Sequence, residues 1–163
     1  MKKKLFLTAL CAIGLCLFLA CDFNGEEYIV GDFSLTVTVD KTNAKVGDTV
    51  TATVVFKNLG GRDIEAELPD WIVTGNKQSK EDILYAAFAS EMNFEWVFPS
   101  VGFEPLPKIL IESGVVIEKT FEHKITSSKN LKVHAAAFFL TETYPTTGYG
   151  LQIESKPIKI KVQ

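Results

Sequence analysis

The chain has 163 residues, 47% of them hydrophobic, with 17 basic against 20 acidic side chains and a net charge of −3. That length suits one domain, and the acidic balance argues against recognition of DNA, RNA or anionic lipid by overall charge. All three cysteines, Cys11, Cys16 and Cys21, fall in the first 21 residues, so the remainder cannot rest on an internal disulfide.

In chain order, Lys2, Lys3 and Lys4 form a positive start, and residues 5–20 an unbroken run of sixteen apolar or small residues. This is the layout of a secretory signal peptide. It falls short of the roughly 20 apolar residues that a permanent membrane helix needs, and the polar run DFNGEE follows at once. Phe18-Leu19-Ala20-Cys21 resembles the lipobox of bacterial lipoproteins, matching it at Ala20 and Cys21 and departing from it at Phe18 and Leu19. The resemblance implies cleavage before Cys21 and lipid on its sulfur. The mature chain would then keep a single cysteine, capped as a thioether. Removing Lys2, Lys3 and Lys4 leaves 14 basic against 20 acidic side chains, a net charge of −6.

Residues 21–32 read as a lipidated tether, polar and punctuated by glycine. From Phe33 the period becomes two. Phe33, Leu35, Val37 and Val39 share one face of FSLTVTV, and Val50, Ala52, Val54 and Phe56 share one face of TVTATVVFK, which predicts two half-buried strands. KTNAKVGD and NLGGRD supply the turns. In IEAEL, Ile64, Ala66 and Leu68 alternate with Glu65 and Glu67. The segment EDILYAAFASEMNFEWVF carries a helical spacing and a capping-box pattern at Ser79 and Asp82. Its even positions are nevertheless apolar almost throughout, which favours strands near 83–89 and 92–98. PSVGFEPLP, with three prolines, is a loop. Strands are predicted in KILI, in 115–125, in 131–142 and in 151–162. The 131–140 run is apolar on both faces beyond His134, as suits a central strand. Pro157 cannot donate to a ladder, so the last strand lies at an edge or carries a bulge there.

KVGDTVTATVVFKNLGGRDIEAEL and the ending IESKPIKIKV resemble bacterial immunoglobulin-like extracellular domains, an outline shared with small proteinase-inhibitor-like sandwich domains. The resemblance implies an all-β, immunoglobulin-like β-sandwich of about seven to nine antiparallel strands over residues 33–163. The disulfide positions of antibody domains hold Val54 and Ala135 or Ala137 instead. Trp71 lies near the third strand, where such folds bury a tryptophan.

No motif for nucleophilic, metal-dependent or phosphate chemistry appears, so the reading is of a non-enzyme without cofactor or metal. His123 and His134 are expected on opposite sheets. Asp63, Glu65, Glu67 and Asp70 read as the wet side of a strand rather than a calcium site. The ten-residue TETYPTTGYG exceeds the usual hairpin length of about two to five, and tyrosine offers rigid amphipathic contact. In the immunoglobulin-like arrangement this loop meets NLGGRD at one end, so Tyr144, Tyr149 and Arg62 form the candidate ligand-binding patch. The expectation is a bacterial envelope protein, periplasmic or surface-exposed. The membrane holds it through Cys21, and its loop end binds a protein or glycan but no nucleic acid. The alternatives are an inhibitor of a protease or other enzyme, and an accessory subunit of an envelope complex.

Overall fold

The structure, a computed structural model, describes residues 25–68, 79–90, 108–141 and 150–163, with 25–30 described by backbone alone. Eleven strands occur among these residues: β1 (Gly25–Val30), β2 (Phe33–Val39), β3 (Asn43–Ala44), β4 (Thr49–Asn58), β5 (Ile64–Glu67), β6 (Leu84–Ala89), β7 (Lys108–Ile111), β8 (Val116–Lys124), β9 (Leu131–Phe139), β10 (Leu151–Glu154) and β11 (Ile158–Val162). One sheet runs β1-β2-β4-β8, antiparallel throughout. In the other, β9 is central, with β6 on one side and β10 followed by β11 on the other. The short β3 closes that sheet by pairing with β11 in parallel, a departure from the all-antiparallel expectation. The fold is an all-β sandwich.

The core forms as the period-two pattern predicts. Phe33, Leu35, Val37 and Val39 of β2 and Val50, Ala52, Val54 and Phe56 of β4 are buried against Leu131, Val133, Ala135, Ala137 and Phe139 of β9. Near one end Phe33 stacks on Phe56 with centroids 5.4 Å apart, and Phe139 meets both edge-on at 5.6 and 5.9 Å. Such pairs add about 0.5–1.5 kcal/mol each beyond their burial.

Two strands are interrupted. At Ser155-Lys156-Pro157 the last strand breaks into β10 and β11, as Pro157 requires. Ser155 bridges the gap: its N–H donates to Ala135 O at 2.8 Å, and its Oγ accepts from Ala135 N at 2.9 Å. The strand that β5 begins is interrupted as well. Glu67 and Leu140 exchange both backbone hydrogen bonds, at 2.8 and 3.0 Å. Backbone groups alternate sides along a strand. Because Ala135 turns toward Ser155, Leu140 turns the opposite way, toward the side that pairs Ala137 with Leu84. β5 and β6 are therefore successive halves of one strand along β9. Counting each interrupted strand once reduces eleven to nine.

The 80–90 region unites both signals seen in its sequence. Ser79 N donates to Asp82 Oδ2 at 3.0 Å and Glu81 N to Ser79 Oγ at 3.4 Å, so the capping box is real. It caps only the single 3₁₀ turn Lys80–Ile83, because the six ladder positions β6 makes with β9 claim the next residue. The strand expected at 92–98 lies outside the described residues, as does Trp71. The tether reading of 21–32 changes: Gly25–Val30 pairs with β2 from Gly25↔Thr38 to Val30↔Phe33, so half of that segment is strand.

Ser34, on the outer face of β2, is fully buried, and its Oγ has no hydrogen-bond partner. A buried hydroxyl left unpaired costs about 1–3 kcal/mol. Ser34→Ala is expected to raise stability by about 1 kcal/mol, read as a higher urea midpoint at unchanged slope. A lower midpoint would show that the hydroxyl is satisfied.

Candidate functional site

The two ends of the sandwich differ. At the upper end lie the β1–β2 turn at Gly31-Asp32, the turn 58–63, the turn 112–115, and Thr141 and Gly150, which bracket residues 142–149. The lower end gathers the turn 40–48, the turn 125–130 and the end of β11, and β1 runs away from it, starting at Gly25 level with Thr38 and Thr53. Because β5 runs antiparallel to β9 and Glu67 faces Leu140, Ile64 and the turn before it lie beyond the end of β9. Thr141 and Gly150, the described residues on either side of 142–149, lie at the same end.

Asn58 organises this end. Its side chain is fully buried. Nδ2 donates to Arg62 O at 3.0 Å, Glu112 O at 3.2 Å and Ile111 O at 3.3 Å, while Oδ1 accepts from Gly60 N at 3.0 Å. Its backbone N–H donates to Val115 O, and its carbonyl accepts from Gly114 N. Leu59 N donates to Asp32 O at 2.7 Å. Ser113 joins from the other side, its N–H to Asp63 Oδ1 at 2.8 Å and its Oγ to Gly60 O at 2.7 Å. Three turns are thus fastened into one polar knot. Sequence reading took Asn58 for an ordinary turn residue; its many acceptors were the missed feature.

Arg62 sits exposed on this knot. Tyr144 and Tyr149 lie outside the described residues, as do Cys21 and Asp70. The foot of their loop is fixed: Gly150 has φ +96°, and a Cβ there would come within 2.6 Å of Leu140 Cδ2 and 2.9 Å of Phe139 O. Only glycine fits. Among the described residues, three of the four exposed large hydrophobic side chains belong to this end: Leu59, Leu110 and Val116, respectively 54%, 46% and 58% exposed. Sequence reading missed them, because Leu110 and Val116 look like ordinary strand residues.

The remaining candidates disperse. His123 stacks on Phe88 at 4.9 Å, while His134 Nε2 lies 3.4 Å from Glu154 Oε2 on the opposite sheet. Ile64, Ala66 and Leu68 are buried, and Glu65 and Glu67 face Lys108 at 2.5 and 3.8 Å. Among the described residues no three His, Cys, Asp or Glu side chains gather as a metal site would require. Lys119 was overlooked in the sequence. It lies on the inward side of β8, where Nζ donates to Glu81 O at 3.2 Å and approaches Asp82 Oδ1 at 3.4 Å, 5.7 Å from the Phe121 ring centre. Beside it the Tyr85 hydroxyl donates to Asp82 O. Burial, and secondarily the Asp82 charge, push that phenol above its ordinary range. These contacts fasten the 3₁₀ turn to β8. Compared with models of known protein families and with curated proteins, the chain matches none.

Proposed function

We propose that the chain is a bacterial lipoprotein, anchored to an envelope membrane through Cys21, whose immunoglobulin-like sandwich is a non-catalytic binding module acting through its upper end. The register of β1 carries this reading. β1 runs toward the turn 58–63 from Gly25, which faces Thr38 level with Thr53 of β4, so the strand is entered from the side away from that turn. From the level of Gly25, β4 continues from Thr53 to Asn58, about 17 Å at roughly 3.3 Å per residue, which sets the turn 58–63 apart from the membrane. Strand order supports the finer name: β2, β4 and β8 on one sheet, β6, β9, β10 and β11 on the other, and the short β3, which follows β2 in the chain, crossing over to run parallel with the last strand. The rigid knot beneath Arg62 and the exposed Leu59, Leu110 and Val116 suit a preformed contact surface.

The test is the full chain with Tyr144→Ala and Tyr149→Ala together. Capture of its envelope partner by crosslinking should fall by at least about thirtyfold, since losing a hot-spot tyrosine costs about 2 kcal/mol or more. Thermal stability should change by less than about 1 kcal/mol, as for two surface substitutions. A variant that melts early would assign the tyrosines to packing. One that melts and binds like the parent would remove them from the site.

A further inference from the structure

The net charge of the chain conceals an uneven distribution. At the lower end, among the described residues, stand Lys41, Lys45, Lys124, Lys129, Lys132, Lys159 and Lys161, seven of the 14 basic side chains that follow Cys21, against Asp40, Asp48 and Glu122. Only Lys41 has a carboxylate within ion-pair distance there, Asp40 at 3.6 Å. Three lysines nearer the upper end are paired with carboxylates: Lys80 with Glu112, Lys108 with Glu65, Lys119 with Asp82. Lys132 and Lys159 stand directly opposite each other on neighbouring strands, an arrangement that destabilises a sheet unless something negative offsets it. Val46, 53% exposed, protrudes from the same end.

β1 runs from Gly25 toward the upper end, so it is entered from the side of these lysines. Four peptide steps separate Cys21 from Gly25, a reach of at most about 14 Å. We propose that the lysine-rich end docks on the anionic phospholipid headgroups of the membrane that holds the chain, an inference that rests on the anchoring reading above. A lysine near an anionic surface contributes about 1 kcal/mol, so neutralising one lowers the docked-to-undocked ratio about fivefold. Docking sets the orientation of the sandwich, with the turn 58–63 directed away from the bilayer.

The full chain, reconstituted into vesicles with phosphatidylglycerol or with phosphatidylcholine alone, is acetylated, and the rate at each lysine is followed by mass spectrometry. Lys45, Lys124, Lys129 and Lys161 should react more slowly on the anionic vesicles, with Lys57 unchanged. High salt should remove the difference. Lys124→Gln, Lys129→Gln and Lys161→Gln together should restore the rate at Lys45. The mass of the Cys21 peptide is read in the same experiment. Lipid on Cys21 with equal rates on both vesicles overturns the docking and leaves the anchor standing. An unmodified Cys21 in a chain that washes off both vesicles overturns the two together.

Discussion

Asn58→Ala is expected to melt about 10 °C below the parent chain. The substitution removes the donor that serves Arg62 O, Ile111 O and Glu112 O and the acceptor for Gly60 N. Each buried backbone group left without a partner costs about 1–3 kcal/mol; water can reach the more exposed of these, so the total falls near 4 kcal/mol. For a domain of this size that is about 2–4 °C per kcal/mol. Asn58→Asp separates the contributions. It retains an acceptor for Gly60 N but turns a second oxygen toward three carbonyls, so it should be at least as destabilising at neutral pH. Burial among those carbonyls raises the carboxyl's folded pKa above its unfolded value, so the protonated form is favoured on folding. The variant should therefore recover stability as pH falls and lose it as pH rises through the folded pKa. A melting change under about 1 kcal/mol for Asn58→Ala would mean that the three turns hold together without it.

Phe139→Ala should cost about 3–5 kcal/mol, the range for deleting a fully buried aromatic ring. Phe139 lies on the central strand of its sheet and closes the trio with Phe33 and Phe56 of the facing sheet. Its loss opens a cavity that ladder bonds on both sides of β9 prevent from collapsing. Phe139→Leu keeps most of the volume and should cost about 1.5 kcal/mol or less, as near-isosteric swaps do. Urea unfolding distinguishes them by midpoint at a common slope. Equal midpoints would show that the space refills.

The core was legible in the sequence because alternation reports burial directly: each inward position assigned to β2 and β4 is buried. Pro157 announced the break between β10 and β11 because a missing N–H is a local fact. β1 was not legible, since its residues lack alternation and its pairing depends on the partner β2. The continuity of β5 and β6 was hidden by the sixteen residues between them. Of the candidate patch, the turn signal NLGGRD located Arg62 in the turn that follows β4. The role of Asn58 was invisible because its acceptors lie 53 and 54 positions away. The clustering of lysines was hidden in the same way, because the chain visits the lower end repeatedly and leaves two or three of them each time.

The direction of β1 has a mechanical consequence. A partner gripping the turn 58–63 and an anchor at Cys21 would pull on opposite ends of the sandwich, with the load entering at Gly25 along the strand axis. β1 and β2 are antiparallel over six paired positions, so that tension would slide one strand past the other. Their hydrogen bonds would bear the force together in shear instead of opening singly like a zipper. A chain tethered this way resists extension best along the line joining its anchor to its loops.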